Sequence, residues 1–347
     1  MTGDDDQHAF DDDCAEGDGE PPADRRSGGG DISDIGGRAG RAAVLLVAAG
    51  TALTVAGLLA RRRWLQLKAT PAFTEAAQRA GLHSLIVQAS QYRMFARVTR
   101  APGTPPQQPA LPPLVLVHGL AASSRSMEPL ATVLATDFDV YAPDLPGFGE
   151  STFDGAPLDV PALAEALHAW LQAVGLERAS FVGQSFGCQV LAEFAVRFPQ
   201  AVTALVLQGP TVDPRARSLP RLVVRDLLNA QREHGRSPRH LSHIDAAKAG
   251  LWRLFATLRN ATRHRIENRL PLIRAKTLVV GGSRDPVSPP GWTAQVAYRL
   301  PQGELLMLRG GTHSLNYAYP HSFAHAIRPF LADAIAAAPS PSTETPS

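Results

Sequence analysis

Cysteine is nearly absent. The 347 residues hold only Cys14 and Cys188, one in an acidic glycine-rich stretch and one early in a helix pattern. A disulfide framework is excluded, and no redox compartment is implied. Neither cysteine stands at metal-ligand spacing to a histidine, and no zinc or phosphate-loop motif occurs, so no metal and no cofactor are expected. Cys188 reads as a small core residue rather than a second nucleophile. Aromatic residues are scarce at 6%, and no basic platform interleaved with aromatics is present, which argues against nucleic-acid binding. Large apolar groups are few in residues 1–37, where 12 acids meet 2 bases. Such a segment cannot bury enough surface to order itself and is expected to be an acidic disordered tail. The rest of the chain holds 20 acids and 32 bases, so a net charge of +2 hides an acidic tail on a basic body. A second disordered tail is expected at 339–347, where Pro, Ser and Thr dominate.

What is present begins with Ala42 to Ala60, 19 residues without a charge. As a helix this run spans roughly 28 Å, close to the ~30 Å hydrocarbon core of a bilayer. Arg38 and Arg41 precede it, and Arg61, Arg62, Arg63, Trp64 and Lys68 follow it. Basic clusters with an interfacial Trp suit a single transmembrane helix over 42–60. The run enters arginines rather than a small-residue cleavage site, which argues against a signal peptide. The bases on its C-terminal side place the following domain in the cytoplasm by the positive-inside rule. Residues 64–81 read as a juxtamembrane linker helix.

From residue 82 to 338 short apolar runs alternate with longer helical patterns, the signature of a parallel sheet covered by helices. A hairpin-like pair at 83–89 and 92–99 comes first, followed by strand patterns near 114–118, 139–142, 180–183, 204–207, 277–280 and 305–308. Helix patterns fall near 126–136, 160–174, 186–198, 290–299 and 320–337. Residues 211–270 break the alternation. They contain no convincing strand and read as a helical cap with 13 bases against 5 acids. These charges are either solvated helix faces or a contact for anionic lipid headgroups.

The stretch Gly183-Gln184-Ser185-Phe186-Gly187 sits between a strand pattern and a helix pattern. It matches G-x-S-x-G, a sharp turn that exposes a serine at the sheet's edge. Alone, it is also compatible with a glycine-flanked serine in an ordinary turn. A hydrolytic serine needs a base, an acid to orient the base, and donors for an oxyanion. His313, in the glycine-rich loop after the last strand pattern, is the candidate base. Ten other histidines compete, and His118 reads as a turn stabiliser. Asp285, in Gly282-Ser283-Arg284-Asp285-Pro286, is the candidate acid, with Asp213 as its rival. The backbone N–H groups of Phe186 and Leu120 are the candidate oxyanion donors.

With Leu116-Val117-His118-Gly119, Asp144-Leu145-Pro146-Gly147-Phe148-Gly149, Gly183 to Gly187, Gly282 to Pro286 and Gly311-Thr312-His313 in this order, the chain resembles the α/β-hydrolase superfamily. The resemblance is to the single-cap, serine-nucleophile type of esterases and lipases, C–C bond hydrolases and cofactor-free haloperoxidases. It implies an α/β fold: a mostly parallel eight-stranded sheet flanked by helices, with a cap. It also implies Ser185, Asp285 and His313 as a triad, and Asp144 to Ser151 as a structural loop. Serine at 185 disfavours the epoxide hydrolases and haloalkane dehalogenases of this fold, which use aspartate there. The expected activity is cleavage of a small or lipid-like carboxylic ester through an acyl-enzyme. Two alternatives stand beside it. One is C–C hydrolysis of a dienoic acid, with cap arginines holding its carboxylate. The other is a non-catalytic, membrane-tethered binding protein on the same scaffold.

Overall fold

The computed structural model of the chain describes residues 32–104 and 112–337. The expected tails therefore lie outside the described residues, apart from 32–37, which open the first helix. The described chain divides into two compact units at Leu59/Ala60.

Helix α1, Ile32–Lys68, runs unbroken for 37 residues. Between Val44 and Lys68 it is long and apolar enough to cross a membrane, its most apolar 18 residues having a mean hydropathy of 1.9. The boundary expected between a span at 42–60 and a separate linker helix at 64–81 is not there. No breaker stands among Arg61, Arg62, Arg63 and Trp64, so the helix carries on to Lys68. It stops before Pro71, whose ring disfavours helical backbone at Thr70. Of the expected linker helix only α2, Glu75–Arg79, remains beyond it, capped by Thr74, whose hydroxyl accepts from the Ala77 amide.

The second unit is built on one eight-stranded sheet. Its strands are β1 (His83–Ala89), β2 (Tyr92–Val98), β3 (Pro113–Val117), β4 (Asp139–Pro143), β5 (Ala179–Gln184), β6 (Val202–Gln208), β7 (Thr277–Gly282) and β8 (Gly303–Leu308). Their spatial order is β1-β2-β4-β3-β5-β6-β7-β8. β2 pairs antiparallel with both its neighbours, and all pairs from β4 onward are parallel. Apolar runs in β3 and β5 to β7 are buried on both faces, as a sheet covered on both sides requires. Val115 and Val117 point into one core with helices α4 (Val160–Ala173), α5 (Phe186–Arg197) and α9 (Pro290–Arg299). Leu114 and Leu116 point into the other, with α3 (Glu128–Leu134) and α11 (Pro320–Ala336). Each fully buried Leu or Val contributes about 1.5–3 kcal/mol relative to exposure.

The cap holds α6 (Leu219–Arg232), α7 (Arg239–Ala249) and α8 (Leu251–Arg263), and a short α10 (Leu315–Ala318) precedes α11. The strand order reverses beside β3: the chain leaves β3 for β4 on one side, and β5 adds on the other. Doubly wound sheets open a crevice at the carboxyl ends of the strands at such a point. The β3–α3 loop and the β5–α5 turn meet there.

Candidate active site

Ser185 occupies the β5–α5 turn with φ 55° and ψ −112°, a conformation an L-residue adopts only when its surroundings impose it. The surroundings are tight. A Cβ on Gly187 would lie 2.4 Å from the Val117 carbonyl oxygen and 2.8 Å from that of His118. One on Gly183 would lie 2.7 Å from Leu191 Cδ1. Gly187 lets α5 press against β3 and Gly183 lets it press against β5, and the Ser185 amide donates to the Gln208 carbonyl at 2.9 Å. Cys188 is buried behind the turn, its Sγ 3.2 Å from the Gly183 carbonyl oxygen. Burial pushes its thiol far above the ordinary range, which removes it as a nucleophile.

The β3–α3 loop is fastened from below by buried charge. Arg97 on β2, 1% exposed, pairs with Glu128 at 2.7 Å and donates to Ser124 Oγ at 2.5 Å. Asp144 accepts from the Ser124 amide at 2.7 Å and the Glu150 amide at 2.8 Å. Its carboxylate is thereby committed to loop backbone. His118 is likewise occupied: Nδ1 meets the Gly119 carbonyl at 2.8 Å, and Nε2 accepts from the Leu145 amide at 3.1 Å. Burial lowers its pKa, consistent with a neutral ring stitching two loops. Beyond it the Leu120 amide, like the Phe186 amide at the start of α5, has no acceptor among the described residues. Both residues line the cavity that Ser185 faces.

Asp285 follows β7 and His313 follows β8. Asp285 Oδ1 accepts from the Val287 and Ser288 amides at 2.7 and 2.9 Å, and Oδ2 lies 2.7 Å from His313 Nδ1. Gly209, at φ +57°, sits against this pair: a Cβ there would be 3.0 Å from the imidazole. Burial works against a charged His313, but the Asp285 carboxylate outweighs it, with help from Glu233, and holds the imidazole above its ordinary pKa. The rival Asp213 is taken by Arg225 at 2.9 Å and by the Arg215 amide. No hydrogen bond joins Ser185 Oγ to His313 among the described residues. The two line one cavity of about 470 Å³, and such contacts commonly tighten only with substrate bound.

Three cap residues enter this site without a signal that sequence reasoning used. Asn229 and Glu233 sit one turn apart on α6 and its end. Asn229 Oδ1 accepts from the His313 amide at 3.0 Å, and Glu233 Oε1 accepts from the Ser314 amide at 3.0 Å and from Asn229 Nδ2 at 2.8 Å. The cap thus holds the backbone of the histidine loop. Asp245 on α7, 1% exposed, accepts from Ser123 Oγ at 2.8 Å and lines the same cavity. Burial raises its pKa to about 6. The polar i, i+4 pair Asn229/Glu233 was visible in sequence as a possible same-face contact, but nothing in sequence said what that face meets.

Comparison with known proteins places this geometry. Residues 112–234 match the family model of the α/β hydrolase fold, and residues 256–341 match that of TAP-like proteins. The chain belongs to the α/β-hydrolase superfamily. Residues 235–255, which fall between the two matches, contain α7 and the start of α8. Over 96 residues the chain is 38% identical to an uncharacterized protein of Mycobacterium tuberculosis (strain ATCC 25618 / H37Rv), and that stretch is 28% of this chain and 28% of the mycobacterial one. The chain is also 27% identical over 229 residues to a poly(3-hydroxyalkanoate) depolymerase of Ectopseudomonas oleovorans, covering 59% of this chain and 80% of the relative. The crystal structure of a membrane phospholipase A, a bacterial virulence factor, superposes with a TM-score of 0.61 at 26% identity. That likeness covers 86% of this chain and 98% of the phospholipase.

Proposed function

We propose that this chain is a membrane-anchored serine hydrolase that cleaves a carboxylic ester, of lipid-like character, through an acyl-enzyme. The observation that carries the reading is one cavity into which Ser185, His313 and the unengaged amides of Leu120 and Phe186 converge, with His313 Nδ1 on Asp285 at 2.7 Å. His313 takes the Ser185 proton as the serine attacks the ester carbonyl. The Leu120 and Phe186 amides receive the oxyanion. His313 then protonates the departing alcohol and activates water to release the acid, while Asp285 keeps its tautomer. General base assistance of this kind contributes about 10²–10⁴-fold, and each oxyanion donor about 2.7–4 kcal/mol.

The lipid-like substrate and the anchor rest on α1 and on the kinship with a membrane phospholipase A. Arg61, Arg62, Arg63 and Lys68, which outnumber Arg38 and Arg41 beside the span, support a cytoplasmic hydrolase domain. The alternative C–C hydrolysis of a dienoic acid needs a cation free to hold a carboxylate. Here Arg239 shares the cavity wall with Asp226 and Asp245, so an anionic substrate meets two carboxylates for one arginine. The test uses the full chain in detergent. A fluorophosphonate probe is expected to label Ser185, and p-nitrophenyl esters are expected to turn over faster as the acyl chain lengthens. Full activity in Ser185→Ala would end the serine mechanism. A preference for acetate would end the lipid reading, and no labelling at all would favour a binding protein on this scaffold.

A further inference from the structure

The cap wears its apolar groups on the outside. On α6 the one buried residue is Asn229, while Val223, Val224, Leu227 and Leu228 are 51%, 54%, 44% and 41% exposed. On α8 the buried residues are Thr257 and Ala261, while Leu251, Trp252 and Phe255 are 67%, 70% and 50% exposed. The two helices pack on each other within the cap. Val223 and Leu227 also line the Ser185 cavity, which carries this surface to the cavity's rim. Large apolar side chains exposed on two packed helices mark a contact with something outside the domain.

Charge says what that something is. Of the 13 bases in 211–270, Arg217 and Arg225 are spent on Glu267 and Asp213. Arg221 on α6 and Arg259 and Arg263 on α8 have no carboxylate partner among the described residues. Helices with exposed Leu, Phe and Trp beside unpaired arginines have the composition of elements that lie in a bilayer interface, apolar groups below the headgroups and bases against the phosphates. We infer that the α6–α8 face docks on an anionic lipid bilayer, with Trp252 and Phe255 at headgroup depth and Arg221, Arg259 and Arg263 on lipid phosphates. The choice of a bilayer leans on the membrane part of the proposed function and not on its ester chemistry. Docking sets the cavity rim at the lipid surface, so an amphiphile reaches Ser185 without crossing water.

The test places the full-length chain, as Trp64→Phe, in vesicles of phosphatidylcholine and phosphatidylglycerol with or without brominated acyl chains. Trp170 and Trp292 are 0% and 3% exposed, so Trp252 is the accessible tryptophan that remains. Its emission is expected to be about twofold lower in brominated vesicles, as interfacial insertion requires, and this difference is expected to vanish when Trp252→Phe is added. Equal emission in both vesicles, with quenching by aqueous acrylamide, overturns docking. Protection that grows with the protein-to-lipid ratio overturns it in favour of a second copy of the chain. Arg221→Gln with Arg259→Gln and Arg263→Gln is expected to bring bromine quenching down to the level seen in pure phosphatidylcholine. No change there overturns the anionic preference, and retained fluorophosphonate labelling shows that this variant is folded. Ser185→Ala in the same background is expected to be quenched like its parent. Failure of the hydrolase reading therefore leaves this result standing, and failure of docking leaves ester cleavage measurable.

Discussion

Two helices border the same cavity and treat their apolar residues in opposite ways. α5 buries ten of its 12 residues, and α6 buries one of 14. α5 carries Phe186, Val190, Leu191, Phe194 and Val196, and α6 carries Leu219, Leu222, Val223, Val224, Leu227 and Leu228. α5 lies between the sheet and α4, so every side it presents finds protein. α6 lies over the sheet's crevice and turns Asn229 inward to a backbone amide, leaving Val224 and Leu228 outside. Amphipathic periodicity reveals that a helix has an apolar face, not which medium that face meets. On α5 the medium is the core and the consequence is rigidity. On α6 the inward side brings Asn229 to the His313 amide and Val223 and Leu227 to the cavity wall.

The contrast can be broken from the inside outward. Asp285→Asn removes the carboxylate that orients His313 and is expected to cost on the order of 10⁴ in kcat, measured on a p-nitrophenyl ester. Gly187→Ala forces a Cβ to within 2.4 Å of backbone, where no side chain can yield. A loss of about 1–3 kcal/mol or more in unfolding free energy is expected, read from denaturant melts, together with loss of probe labelling.

On the cap, Glu233→Gln keeps the acceptor for the Ser314 amide but removes a charge that raises His313. Because the base acts when neutral, the acid limb of kcat/KM is expected to lie above the ordinary histidine pKa in the parent and to move to lower pH in the variant. An unmoved limb would mean that Glu233 matters only as a strut. Asp245→Asn probes the other cap contact. An aspartate raised to about 6 keeps its proton longer in the folded chain than in the unfolded one. Its contribution is fully present below the ordinary aspartate range and is lost as pH rises through about 6. The variant is therefore expected to melt a few degrees higher than the parent at pH 8 and no higher at pH 4. Smallest of all, Val224→Ser on the outer face of α6 is expected to change stability by less than about 0.5 kcal/mol.

Most of the scaffold was legible because it obeys local rules. Strands β3 and β5 to β8 and helices α4, α5, α9 and α11 fall within a few residues of their apolar patterns. The turn at Ser185 is spelled out by glycines that have steric reasons to be there. What was not legible depended on long-range contact. The commitment of Asp144 to the Ser124 and Glu150 amides is a tertiary fact. So is the grip of Asn229 on His313, across 84 positions of chain. The continuity of α1 through Arg61, Arg62 and Arg63 has a local reason instead. Arginine is a good helix former, so the charge cluster ends the apolar run without ending the helix, which stops before Pro71.

The raised pKa of Asp245 carries a consequence for where the enzyme works best. Burial makes the ionised aspartate costly, and the hydrogen bond it accepts from Ser123 offsets only part of that cost. His313 can take a proton from Ser185 only when they are alkaline enough to leave the imidazole bare. The two titrations pull in opposite directions across neutrality. The two groups therefore set opposite demands on acidity: burial under the cap favours a protonated Asp245, and ester cleavage by the proposed route needs an unprotonated His313.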